Sequence, residues 1–136
     1  MQIIKELPAE KAPSDLPAVR LKVERRVLAK RRWRDQAEDG VDFGFDLSSP
    51  LAHGDVFFAN EEKRYVIEQL PEKVFKVAYP DPREAAHRSW QVGNLHFPAQ
   101  FTDNYLLVEN DLAIRQMLER NDIPFEETDE VFQPVV

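Results

Sequence analysis

The chain has 136 residues, of which 43% are hydrophobic and 32% are charged, and its formal net charge is −7. This balance is typical of one ordinary globular domain or two small ones, and it excludes a disordered chain. Cysteine is absent, which excludes disulfides, thiolate metal sites and a cysteine nucleophile. Because we recognise no signal peptide and no membrane-spanning window, we expect a cytoplasmic protein without a membrane partner.

The first half of the chain, residues 1–71, predicts a small antiparallel β domain. Its apolar residues alternate with polar ones over short stretches separated by polar turns, as in half-buried strands. The clearest alternation follows the turn at Asp39-Gly40. A basic segment, residues 26–34, is expected to form a strand with an exposed charged face. The strands are predicted at residues 19–23, 26–34, 41–47, 56–59 and 64–68.

The second half, residues 72–136, predicts a ferredoxin-like βαββαβ domain, so the fold class of the whole chain is α+β. Asp81 is expected to cap the first helix, with Pro82 at its first position. Asn110 or Asp111 is expected to cap the second helix. The residues expected to face inward are Ala85, Ala86, Ser89, Trp90 and Val92 on the first helix and Ile114, Met117 and Leu118 on the second.

The connector between the first helix and the next strand, residues 90–101, contains the candidate functional residue His96. Gly93 and Asn94 are expected to take the left-handed backbone conformation that ends the helix. The alternation that follows puts Phe97, Ala99 and Phe101 on one face, so His96 should point away from the apolar layer. One imidazole holds a transition metal poorly, but a two-fold axis can bring together the same residue of two subunits.

The sequence does not predict an enzyme. The four glycines stand too far apart for a phosphate loop. The serines have no histidine and aspartate context, and no spacing singles out a pair of carboxylates. For His53, in a turn, and His87, on the first helix, we favour surface or capping positions over a ligand role.

Charge is distributed unevenly along the chain. Eight basic residues and one acid lie between Arg20 and Arg34, whereas six acids and one base lie between Glu119 and Glu130. Two hypotheses stay open for the basic stretch: a solvated strand face, or a surface that docks a partner. The negative net charge and the lack of a recognised motif argue against a nucleic-acid partner. The docking residues would be Lys30, Arg31, Arg32, Trp33 and Arg34.

Three blocks resemble the UreE family of urease accessory nickel chaperones, and the resemblance extends from about residue 19 onward. Residues 93–100, Gly-Asn-Leu-His-Phe-Pro-Ala-Gln, resemble the family's Gly-Asn-Arg-His-x-Pro-x-Gln block. Residues 30–34 and the hairpin after them resemble its basic strand. Leu51 with residues 54–56, Gly-Asp-Val, resembles its turn. The order and spacing of the blocks, more than any single block, carry the resemblance.

The resemblance implies a homodimer that binds Ni²⁺ between two copies of the family's histidine, which His96 matches. It implies delivery of nickel to the urease apoprotein complex with the maturation GTPase UreG, and an N-terminal domain that binds a peptide or partner. Zn²⁺ or Cu²⁺ could also occupy such an incomplete imidazole site. The alternative is an adaptor of the same fold that docks partner proteins without binding metal.

The chain departs from the family pattern where further ligands would lie. Gln91 stands at a position where histidine is common, and Leu95 replaces the arginine of the Gly-Asn-Arg-His block. The sequence ends in Gln-Pro-Val-Val instead of a histidine-rich tail. We therefore predict one metal ion per dimer, held mainly by the two His96 imidazoles together with water or a mobile group.

Overall fold

The structure is a computed structural model that describes residues 1–135, and the chain divides into two compact units, residues 1–70 and 71–136. Val136, the last residue of the predicted second domain, lies outside the described residues. The predicted α+β class is confirmed. In the described part of the chain, no helix is long and apolar enough to cross a membrane.

The elements are β1 (Gln2–Ile4), β2 (Ala18–Val23), α1 (Arg25–Leu28), β3 (Arg32–Gln36), β4 (Asp42–Asp46), β5 (Val56–Ala59), β6 (Arg64–Gln69), β7 (Glu72–Ala78), α2 (Pro82–Gly93), β8 (Ala99–Phe101), β9 (Tyr105–Glu109), α3 (Leu112–Arg120) and β10 (Glu126–Glu130).

The first unit is built from two three-stranded sheets, with strand orders β1-β4-β3 and β2-β6-β5. The β3–β4 and β5–β6 pairs are antiparallel, as predicted, whereas β1 pairs with β4 and β2 pairs with β6 in parallel. The core is rich in aromatic rings. The ring of Phe43 meets Phe57 and Tyr65 edge-on, at centroid distances of 4.9 and 5.0 Å. This geometry suits the charge distribution of aromatic rings and adds to the gain from burial.

The predicted strand over residues 26–34 is wrong in its first half. There the chain forms the single helical turn α1, because the carbonyl oxygen of Glu24 accepts the amides of both Val27 and Leu28. This turn buries Leu28 and half-buries Val27 against the core, which a strand with alternating exposure would not do. Strand β3 therefore begins only at Arg32.

The second unit contains one four-stranded antiparallel sheet with the order β10-β7-β9-β8. With its βαββαβ element order, this is the predicted ferredoxin-like arrangement. One face of the sheet carries both helices: Phe75 and Val77 of β7 share a buried cluster with Val92 of α2 and Ile114 of α3.

The predicted helix caps and the inner face of α3 agree with the structure. The Asp81 carboxylate accepts the amide of Glu84 at 2.8 Å, and the Asp111 carboxylate accepts the amide of Ala113 at the same distance. Each bond satisfies a backbone donor that the first helical turn leaves unpaired. Ile114, Met117 and Leu118 are buried.

The predicted apolar stripe on α2 is wrong for Trp90 and Ala86, which are exposed. The helix packs through Ala85, Ser89 and Val92, which lie close together on one line. Trp90 lies about 100° around the helix from Ser89 and therefore leaves the packed face. Its indole is 65% exposed.

Candidate metal site at His96

The candidate site begins where α2 ends, at Gly93. The amide of Leu95 donates to the carbonyl of Val92 at 3.1 Å, and the amide of His96 donates to the carbonyl of Gly93 at 3.0 Å. Both bonds span three residues, so the helix tightens into a final turn before the chain leaves it. These bonds hold the helix-side end of the connector.

His96 has a left-handed backbone with φ = +59°. The prediction that Gly93 and Asn94 would take this conformation is wrong: Gly93 does not have a positive φ, and Asn94 is helical with φ = −64°. The reversal comes three residues later because Leu95 and Phe97 both pack against the core on the helix side of the sheet. A left-handed residue between these two anchors turns the imidazole outward.

The side chain of His96 is exposed, as the alternation of the connector predicts. On the strand side, Ala99 is buried with the helix-side core, while Gln100 lies on the opposite face. The imidazole therefore stands on a connector that is held at both ends. A ligand presented in this way keeps its position while its ring is free to bind from solvent.

The other two histidines lie where sequence reasoning placed them. His53 is exposed in its turn, and its Nδ1 accepts the backbone amide of Gln69 at 3.0 Å, so the ring caps a strand end. His87 is exposed on α2. Among residues 1–135, no group of three or more histidine, cysteine, aspartate or glutamate side chains is placed to hold a metal ion. Within one described chain, His96 thus has no ready-made set of companion ligands.

The two positions that depart from the family motif do not offer surface ligands. The Oε1 atom of Gln91 is buried, without a hydrogen-bond partner among the described residues. Leu95 packs its side chain against the helix-side core. Both side chains are directed into the unit, whereas His96 is exposed.

The predicted docking residues form an exposed basic patch with one aromatic member inside the fold. Lys30, Arg31, Arg32 and Arg34 are exposed. Trp33 is half-buried and stacks on Phe45, with ring centroids 4.0 Å apart. Strand β3 pairs with β4 on one side only, so it is an edge strand of its sheet. We call Lys30, Arg31, Arg32 and Arg34 the basic patch.

Two basic residues that precede the basic patch form ion pairs inside the first unit. Arg20 pairs with Glu68 at 3.5 Å, and Lys22 pairs with Glu38 at 3.3 Å. Within the basic patch, Arg32 also forms an ion pair, with Asp46 at 3.1 Å, but this pair is exposed.

Sequence reasoning missed a polar cluster in the first unit. The carboxylate of Asp39 accepts hydrogen bonds from the hydroxyl of Tyr65 at 2.7 Å and from Nζ of Lys63 at 2.5 Å. Burial alone would raise the pKa of Asp39, but these two bonds and the amide of Val41 outweigh it and lower the pKa to about 2. Burial raises the pKa of Tyr65, and the hydrogen bond to Asp39 raises that of Lys63. The sequence pattern around Asp39 predicted a turn, but it did not indicate contacts with Lys63 or Tyr65.

Fold and site together define a class of protein: a small β unit followed by a ferredoxin-like unit with an exposed histidine on its first helix–strand connector. The family model of the UreE urease accessory protein, C-terminal domain, matches residues 72–136. The chain belongs to the UreE family of urease accessory proteins, as the motifs predicted.

Individual relatives extend the match into the first unit. The urease accessory protein UreE of Chelativorans sp. (strain BNC1) is 33% identical over 92 residues, which are 66% of this chain and 58% of the relative. UreE of Bacillus cereus is 29% identical over 77% of this chain and 71% of its own length. UreE of Staphylococcus saprophyticus is 30% identical over 75% of this chain and 69% of its own. The match thus spans less than two thirds of the Chelativorans protein.

Proposed function

We propose that this protein is a nickel carrier in urease maturation and not an enzyme. It binds Ni²⁺ at the interface of a homodimer, through His96 of each subunit, and delivers the ion to the urease apoprotein complex, with the GTPase UreG as a partner. Membership of the urease accessory family supports the role. The observation that carries the assignment to His96 is its exposed imidazole on a connector anchored by Leu95 and Phe97.

The homodimer is proposed because the described residues of one chain offer too few ligands. Two copies of His96 related by a two-fold axis would supply two imidazoles to one ion. Large apolar side chains close to His96 in the sequence support an interface there: Trp90 is 65% exposed and Phe101 is 52% exposed. Exposed aromatic rings of this size are typical of surfaces that a partner covers.

In the coordination we propose, the protein supplies only part of the ligands of the nickel ion. Two imidazoles leave most of the nickel coordination sphere to water or to a group on the receiving protein. Such a site would also accept Zn²⁺ or Cu²⁺, with copper bound most tightly, so nickel selectivity would come from the delivery partners. Because ligands must be deprotonated to bind, acid weakens the site. Weak, open coordination suits a protein that must release its ion.

We also propose that the two units divide the work. Residues 72–136 would be the metal-binding domain, and residues 1–71 would be the domain that docks partners. The exposed basic patch on an edge strand supports the second assignment.

Nickel titration by calorimetry tests the carrier function. We expect the wild-type protein to bind one Ni²⁺ per two chains and His96→Asn to lose this binding. Asparagine is chosen because it tolerates the left-handed backbone of this position better than most residues, so the fold is kept. His87→Asn, at an exposed position on α2, is the matched control and should bind like the wild type. Unchanged binding by His96→Asn would refute the assignment.

The second candidate function is a metal-independent adaptor of the same fold, which the basic patch favours. Its test is the double charge reversal Arg32→Glu with Arg34→Glu, measured as binding to the urease apoprotein complex at two salt concentrations. The control reverses two exposed arginines of the second unit, Arg83 and Arg120, so the net charge is the same. If the patch docks partners, only the first double variant loses binding, and raising the salt weakens wild-type binding. Equal binding by both double variants would contradict the docking role.

A further inference from the structure

The face of the ferredoxin-like sheet that lies opposite the helices is covered by the chain itself. Val74 of β7 and Leu107 of β9 point to this face, yet they are 0% and 3% exposed. They are buried because Phe132, also 0% exposed, packs with them in a separate cluster. We call residues 131–135, which follow β10, the C-terminal strap.

The strap also bonds to β8, the strand that follows the His96 connector. The amide of Val135 donates to the carbonyl of Ala99 at 2.9 Å, and the amide of Gln133 donates to Oε1 of Gln100 at 2.8 Å. Strand β8 lies at the sheet edge opposite β10 and pairs with β9 on one side only. The strap therefore crosses the sheet from β10 and gives β8 a second set of hydrogen bonds.

These bonds lie close to the candidate metal ligand in the sequence. Ala99 comes three residues after His96, and β8 itself is only three residues long. A left-handed backbone is strained for a residue that has a Cβ, so it persists at His96 only where its surroundings hold it. The final turn of α2 holds His96 on one side, while β8 and the strap hold it on the other.

We propose that Phe132 is a positioning residue for His96. Its ring anchors the strap on the sheet, the strap fixes Ala99 and Gln100, and the short β8 so held keeps the imidazole in its outward position. The role of Phe132 in nickel binding rests on the proposed function of His96. Its effect on the conformation of the connector does not depend on that function.

The test compares Phe132→Ala with Phe125→Ala. Phe125 is a half-buried ring on the helix side, 5.0 Å from the ring of Phe75, so its loss removes a similar volume without touching the strap. Amide hydrogen exchange, followed by NMR on the metal-free full-length protein, reports the order of the connector. We expect the His96 amide to exchange at least about tenfold faster in Phe132→Ala than in Phe125→Ala. Equal exchange rates at His96 would overturn the proposal.

Two further arms keep the outcome decisive. If Phe132→Ala does not fold, Gln100→Ala is the second variant. It removes the acceptor of the Gln133 amide and leaves the core intact, and an unchanged His96 exchange rate in it then overturns the proposal.

With Ni²⁺ as the probe, Phe132→Ala should bind about tenfold more weakly than Phe125→Ala at unchanged stoichiometry. If the wild type binds no nickel, the carrier function fails, while the exchange data still decide whether Phe132 positions His96.

Discussion

The backbone amide of His96 donates to the carbonyl of Gly93 at 3.0 Å, and it is His96, not the glycine, that has the left-handed conformation. Gly93 therefore does not need the freedom that glycine alone has. A Cβ at Gly93 would meet nothing within 4 Å, and the backbone there does not have a positive φ. Gly54 also has space for a Cβ, but its φ of +88° is one that side chains rarely adopt.

Replacement of Gly93 by alanine should therefore stabilise the protein, because alanine favours the helix and restricts the unfolded chain. We expect the free energy of unfolding to rise by about 0.5 kcal/mol for Gly93→Ala, as measured by denaturant titration. Gly54→Ala is the contrasting variant and should lower it by about 1 kcal/mol, since alanine is strained at positive φ. A loss of stability in Gly93→Ala would show that the glycine serves a purpose that its backbone conformation does not reveal.

The Asp39 cluster predicts a pH dependence of stability in the first unit. The pKa of Asp39 is lowered from 3.8 to about 2, so its charged form favours the folded state. The stabilisation is complete above pH 4 and is lost as the pH falls toward 2. We expect the free energy of unfolding of Asp39→Asn to be about 1 kcal/mol lower than that of the wild type at pH 7.

The difference between the two proteins should shrink as both are titrated from pH 4 to pH 2, and chemical unfolding at several pH values measures it. Asp46→Asn, which removes the carboxylate of an exposed pair with Arg32, is the control and should change stability much less. A pH-independent difference for Asp39→Asn would contradict the role of its charge.

Exposed Trp90 predicts a variant that separates dimerisation from folding. Trp90→Lys places a charge on the outer face of α2, so it should weaken the proposed dimer at least about tenfold without lowering the melting temperature. Sedimentation velocity over a concentration series measures the dissociation constant. Ile3→Lys changes an apolar side chain of the first unit that is 48% exposed, and should leave the dimer intact. The idea that Trp90 lies in the interface fails if both variants dissociate alike.

Local signals in the sequence predicted those parts of the fold that neighbouring residues decide. The cap at Asp81 and the inward face of α3 follow from short-range hydrogen bonding and helical spacing. The alternation after the Asp39-Gly40 turn, at Val41, Phe43, Phe45 and Leu47, predicted a strand with one apolar face. Its last three members are buried, whereas Val41 is 37% exposed. Such features need no knowledge of distant parts of the chain.

Other features depend on contacts between distant residues. The left-handed conformation falls on His96 because Leu95 and Phe97 both find places in the core, which residue preferences do not indicate. The hydroxyl of Tyr65 donates a hydrogen bond to Asp39, which lies 26 residues earlier in the chain, so no local pattern predicts the pair. Phe132 lies in a segment without regular alternation, so its burial could not be predicted from the pattern.

X-ray absorption at the nickel edge of the loaded protein tests the central claim most directly. With one Ni²⁺ per two chains, the spectrum should fit two imidazole rings per nickel, and His96→Asn should remove both together. A spectrum without imidazole scattering, or one ion with a single imidazole in each chain, would contradict a site shared by the two His96 residues.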